Sequence, residues 1–119
     1  MRIFFFVLNF FVTCVIVSCS NGNVAKFKIT NLNSTPVDSV YFEPGNKSDR
    51  IFITVSPNKT LEYMLNMRGI HSNGAYGMYY KQNNEWKKRI FGYYSKGYAS
   101  EKMTEIRILP DTVTIKQIY

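Results

Sequence analysis

Cysteine is scarce in this chain, and where it stands excludes more than how much there is. Only two of the 119 residues are cysteine, Cys14 and Cys19, and none follows residue 19. The rest of the chain cannot close a disulfide within itself and must fold on apolar packing alone. Histidine is scarcer still: His71 stands by itself in Arg68-Gly69-Ile70-His71-Ser72-Asn73-Gly74, a loop by composition, with no Cys, His or acid at metal-ligand spacing. No metal site is expected there. The eight acids are scattered singly, and the closest suggestive pair, Glu101 and Glu105, flanks a strand start and is expected to face solvent. No serine occupies a nucleophile elbow, and Gly74, Gly77, Gly92 and Gly97 follow no phosphate-loop spacing. Without a base and its orienting partner, an activated nucleophile or a phosphate cradle, neither catalysis nor a cofactor is expected.

Acidic residues are outnumbered. Fifteen Lys and Arg against eight Asp and Glu give a formal charge of +7. The basic residues are spread along the whole chain, and Lys87-Lys88-Arg89 is their one run. A nucleic-acid binder concentrates its charge on a stripe or a helix, so nucleic acid is not the expected partner. Anionic lipid headgroups or acidic glycans suit such a balance better, and it also serves solubility.

A membrane-length apolar run is missing too. Ile3 to Val17 is fifteen residues, interrupted by Asn9, Thr13 and Cys14, and a comfortable span needs about 20. What is present instead is Met1-Arg2, a short apolar stretch and small residues, the parts of a secretory signal peptide. The stretch ends on Ile16-Val17-Ser18-Cys19, which resembles a bacterial lipobox. That resemblance implies cleavage before Cys19, a diacylglyceryl thioether on its sulfur and acylation of the new amino group. Two or three acyl chains anchor far more firmly than one. Ser20-Asn21-Gly22-Asn23 places no Asp after the cysteine, which favours the outer membrane, on the periplasmic face since no acidic cluster follows.

Residues 1–18 are thus expected to leave as signal peptide, 19–25 to form a lipidated cysteine and short tether, and 26–119 to fold as one domain. In that domain Phe27 and Ile29 alternate with Lys26, Lys28 and Thr30, the period of a half-buried strand. Val40 and Phe42, then Ile51, Ile53 and Val55, then Leu61, Tyr63, Leu65 and Met67 continue the pattern. Clusters such as Asn31-Leu32-Asn33-Ser34-Thr35-Pro36 and Ser56-Pro57-Asn58-Lys59 punctuate it. The sequons at Asn33, Asn46 and Asn58 read as turn residues. Ile106 and Ile108, then Val113 and Ile115, close the chain on either side of Leu109-Pro110-Asp111-Thr112. About eight short strands without a helix predict an all-β fold, an antiparallel immunoglobulin-like β-sandwich, with a small β-barrel as the alternative.

Aromatic residues are plentiful. Asn83-Asn84 separates GAYGMYYKQ from EWKKRIFGYY, and Asn tolerates the positive φ of a two-residue hairpin. A tight turn sets Tyr80 against Lys87, Lys81 against Trp86 and Tyr79 against Lys88, three cross-strand cation–aromatic pairs. Phe91 is assigned to the core, Gly92 to a bulge and Ser95-Lys96-Gly97 to a turn. Trp86, Lys88, Tyr94, Lys96 and Tyr98 are the candidate binding surface, since aromatics with a polar tip offer large contact area at low entropy cost.

The whole resembles small envelope lipoproteins with immunoglobulin-like domains. The expected function is a non-catalytic, membrane-tethered scaffold or accessory subunit that binds another envelope protein. Two alternatives stand beside it, an immunity protein or inhibitor of a toxin or hydrolase, and a glycan-binding accessory module.

Overall fold

The computed structural model describes residues 23–45, 48 and 50–119. The expected signal peptide, the expected lipidation site Cys19 and the Asn46 sequon lie outside the described residues. Nine strands follow in order: β1 (Val24–Asn31), β2 (Val37–Glu43), β3 (Ile53–Val55), β4 (Thr60–Asn66), β5 (Gly74–Gln82), β6 (Glu85–Ser95), β7 (Tyr98–Ala99), β8 (Met103–Ile108) and β9 (Val113–Ile118). They form two sheets, β4-β1-β8-β9 and β3-β2-β5-β6-β7, packed as a sandwich with one sheet curled into a half-barrel. The all-β sandwich read from the alternation is what the chain forms.

Four details differ from the expectation. β1 starts at Val24, and Ala25 is fully buried, so the strand consumes part of the expected tether. β7 is an additional two-residue strand, folded back on the end of β6 by the Lys96-Gly97 turn. The third strand spans Ile53–Val55 alone, with Ile51 exposed ahead of it. The β1–β8 pair is parallel, from Phe27↔Thr104 to Asn31↔Ile108, within an otherwise antiparallel molecule.

Strand alternation supplies the core directly. Ala25, Phe27, Ile29 and Asn31 face inward from β1, and Tyr76, Met78 and Tyr80 face them from β5. Phe27 sits at the junction of the sheets. Its ring stacks on Phe42 of β2 at 4.3 Å and meets Tyr76 and Phe91 edge-on at 5.4 and 5.6 Å. Such pairs each contribute about 0.5–1.5 kcal/mol beyond their buried area. With no cysteine among the described residues to cross-link them, this aromatic cluster is the principal tie between the layers.

Two positions in β2 and β6 break the pleat. Ser39 has φ 55°, and the pairing of β2 with both neighbours shifts around it, so Val37 and Val40 both point inward. Gly92 has φ 67° opposite a shift in β5, the bulge anticipated from its place in a strand. Turn chemistry closes the far end. Asn31 is buried, donates to the carbonyls of Thr35 and Val55 at 2.9 Å, and accepts from the Asn33 amide and side chain at 2.9 Å. Asn33 belongs to that network and Asn58 stands at φ 58°, so both described sequons are turn residues in the folded chain.

An aromatic and cationic ladder on the five-stranded sheet

The β5–β6 hairpin turns at Asn83 and Asn84, with φ 54° and 62°, the two left-handed residues of a type I′ turn. Its register is Tyr79↔Lys88, Tyr80↔Lys87 and Lys81↔Trp86, as the two-residue turn requires. Two of the three pairs become cation–aromatic contacts. Lys88 Nζ lies 5.1 Å from the Tyr79 ring centroid, and Lys81 Nζ lies 5.8 Å from that of Trp86. The third does not form. Tyr80 points into the core, and opposite it Lys87, like Arg89 two pairs along, lies on the inner side of β6, which pairs with β7 only at Tyr94 and Ser95. Burial raises the Tyr80 phenol above its ordinary pKa, and the nearby Arg89 partly offsets this.

The outer face of this sheet carries more than the hairpin. Tyr41 on β2 is the register partner of Tyr79, and their rings stack in parallel at 4.7 Å. Tyr79 covers one face of Tyr41, which leaves the other to the Arg50 guanidinium, 4.1 Å from the ring centroid. The result is a lateral ladder across the sheet: Arg50, Tyr41, Tyr79, Lys88. Phe52 and Trp86 meet Tyr41 edge-on at 5.4 and 5.9 Å and stand 58% and 55% exposed. Glu43 ties the ladder together, accepting from the Tyr79 hydroxyl at 3.3 Å and pairing with Arg50 at 3.4 Å. Hydrogen bonding with the Tyr79 hydroxyl is the main influence raising the Lys88 ammonium above its ordinary pKa.

This arrangement redistributes the candidate surface. Trp86 and Lys88 lie within one cluster. Tyr94 does not belong to a surface at all: it is 6% exposed, its ring packed 5.4 Å from Tyr76, because the Gly92 bulge returns it to the inner face. Lys96 and Tyr98 are exposed, but they lie in the turn beyond β6 and at the start of β7. Ser95, the partner of Tyr98, lies nine residues along the strand from Trp86, on the order of 30 Å at strand rise. Tyr41, Arg50, Phe52, Glu43 and Lys81 were missed as members of the site. Tyr41 had a local signal, standing between the inward Val40 and Phe42, but its place beside Tyr79 depends on β2 pairing with β5. Glu101, expected in solvent, is buried beside Tyr76, because the β7–β8 connection folds it under the sheet edge.

A cleft of about 610 Å³ opens next to the ladder, between Arg50 and Glu43 on one side and Tyr63, Met64 and Arg68 on the other. Among the described residues no group of three His, Cys, Asp or Glu side chains could hold a metal ion. The chain matches no protein-family model, no curated protein and no solved structure.

Proposed function

We propose that this chain is a non-catalytic lipoprotein of the bacterial envelope. In this reading Cys19 anchors it to the outer membrane on the periplasmic face, and its sandwich binds another envelope protein as a scaffold or accessory subunit. The observation that supports this most is the ladder. Tyr41 has both ring faces covered, and Lys88 lies over Tyr79, so these two tyrosines offer a sugar ring little to stack on. What solvent meets is ring edges, the apolar bodies of Phe52 and Trp86, the charges of Lys81 and Lys88, and the Glu43–Arg50 pair. A protein surface carrying carboxylates beside an apolar patch complements that set, and a central exposed tryptophan is the residue type that dominates such contacts. Lys87, Lys88 and Arg89 on the open stretch of β6 blunt strand-to-strand pairing, so the face, not the edge, is the contact surface.

The test is site-specific photocrosslinking in the native envelope, with the crosslinker at Phe52 or, as control, at Lys28 on the opposite sheet. A discrete adduct from Phe52 alone is expected. With the adduct partner purified, Trp86→Ala should weaken binding by about thirtyfold or more, as truncation of an interface hot spot does. Adducts of equal yield from both positions would remove the ladder from consideration. Trp86 is the chain's one tryptophan, so quenching on titration with envelope oligosaccharides would turn the reading toward glycan.

A further inference from the structure

β1 enters the sandwich at Val24 and runs to Asn31, so Asn23 marks one end of the molecule and the Asn31–Thr35 turn the other. Hydrogen bonds show what gathers at the entry end. The Asn23 carbonyl accepts from the Met67 amide at 2.7 Å, and the Met67 carbonyl accepts from the Ile70 amide at 3.1 Å. Asn73 Oδ1 takes the Lys96 amide at 2.9 Å, and the Ile118 carbonyl takes the Lys102 amide at 2.7 Å. The β4–β5 loop, the β6–β7 turn, the approach to β8 and the end of β9 therefore surround the start of β1. The hairpin tip lies at the opposite end, where Gln82 donates to the Leu109 carbonyl.

Charge follows this axis. Arg68, Lys96 and Lys102 are exposed at the entry end, with His71 in the same loop as Arg68, and Tyr98 and Tyr119 stand exposed among them. Acids near it, among the described residues, are the buried Glu101 and Glu43, which lines the same cleft as Arg68 and is paired with Arg50. The far end mixes Lys59 and Lys81 with three exposed acids, Asp38, Glu85 and Asp111.

We propose that the entry end is a second interaction surface, seated on an anionic bilayer. Arg68, Lys96 and Lys102 meet headgroup phosphates, Tyr98 and Tyr119 occupy the interfacial layer, and the ladder's Trp86 is held toward the far end. The inference rests on the Cys19 anchor. Three residues separate Cys19 from Asn23, a reach of at most about 14 Å. β1 alone is about 27 Å long at strand rise, so the tether is too short for the domain to present its far end to the same membrane.

The chain contains no cysteine after Cys19, so a cysteine introduced at Ser72→Cys in the entry-end loop, or at Ser34→Cys in the far turn, gives a single labelling site in the lipidated protein. The labelled chains are placed in phosphatidylethanolamine vesicles with or without phosphatidylglycerol, each containing a headgroup-level quencher lipid. Quenching is expected to be several-fold stronger at position 72 than at 34, and to weaken when phosphatidylglycerol is left out or salt is raised. Roughly fivefold in the docked-to-undocked ratio is expected per cation lost, so Arg68→Glu with Lys96→Glu should lower it by at least about twentyfold. A chain that floats with the vesicles but is quenched equally at both positions, or whose quenching ignores lipid charge, overturns the basal surface and leaves the anchor standing. A chain that fails to float overturns both. Partner crosslinking from Phe52 is read separately and moves with neither result.

Discussion

Asn31 shows how much a single polar side chain can hold. Its amide nitrogen reaches the carbonyls of Thr35 and Val55 while its oxygen receives two donors from Asn33, so one buried group joins the end of β1 to the start of β2 and the end of β3. Asn31→Ala leaves several of these groups buried and unpaired. A loss of about 3 kcal/mol is expected, read from the shift in a urea unfolding midpoint. Tyr76 is the opposite case. Its hydroxyl is buried with no hydrogen-bond partner, and burial, reinforced by the Glu101 carboxylate, drives its pKa well above the ordinary 10.0. The folded state keeps this proton where the unfolded chain releases it. Stability linked to Tyr76 is therefore intact below pH 10.0 and declines as pH rises beyond that value. Tyr76→Phe should flatten that alkaline decline in unfolding midpoint while changing neutral-pH stability by no more than about 1 kcal/mol.

At the scale of elements, the bulge in β2 is the feature with the clearest consequence. Ser39 holds φ 55° on a strand, a conformation that costs a non-glycine residue roughly 1 kcal/mol or more. Ser39→Gly is expected to raise stability by up to about 1 kcal/mol, and Ser39→Val to lower it by more, both measurable as opposite shifts in Tm. Gly97 works the other way. At φ 79° its missing Cβ would collide with the Ile70 carbonyl, so Gly97→Ala should detach the β6–β7 turn from the β4–β5 loop and destabilise the domain. Strands and the hairpin register were legible from sequence because alternation and turn residues are local: Asn83-Asn84 alone fixes Lys81 opposite Trp86. The Ser39 bulge was not, since Val37 to Glu43 alternates acceptably on paper and only the inward packing of Val37 with Val40 exposes the extra residue. The ladder was legible by half. Tyr79 and Lys88 follow from the turn, whereas Tyr41 and Arg50 join them through strand pairings remote in sequence, which no local pattern encodes. Tyr94 faces inward for a related reason: a glycine in a strand signals the bulge at Gly92, but the facing of the next residues depends on how the strand pairing resumes beyond it.

For the whole molecule, the lack of cysteine among the described residues places the burden on Phe27. Its ring touches Phe42, Tyr76 and Phe91, side chains from three strands of the facing sheet. Phe27→Ala should cost about 3–5 kcal/mol, enough to unfold a domain of ordinary stability, and reductant should leave the wild-type unfolding curve unchanged. The parallel β1–β8 pair sets the remaining geometry. Since β8 runs alongside β1 in the same sense and β9 returns antiparallel to it, Ile118 ends level with Met103, beside the start of the chain's first strand. With the proposed Cys19 anchor in place, an epitope or fluorescent reporter fused after Tyr119 would emerge next to it, crowded by the bilayer and hidden from antibodies. The same reporter inserted between Asn83 and Asn84 would stand clear of the membrane, and comparing the two fusions in permeabilised cells turns a strand direction into something visible under a microscope.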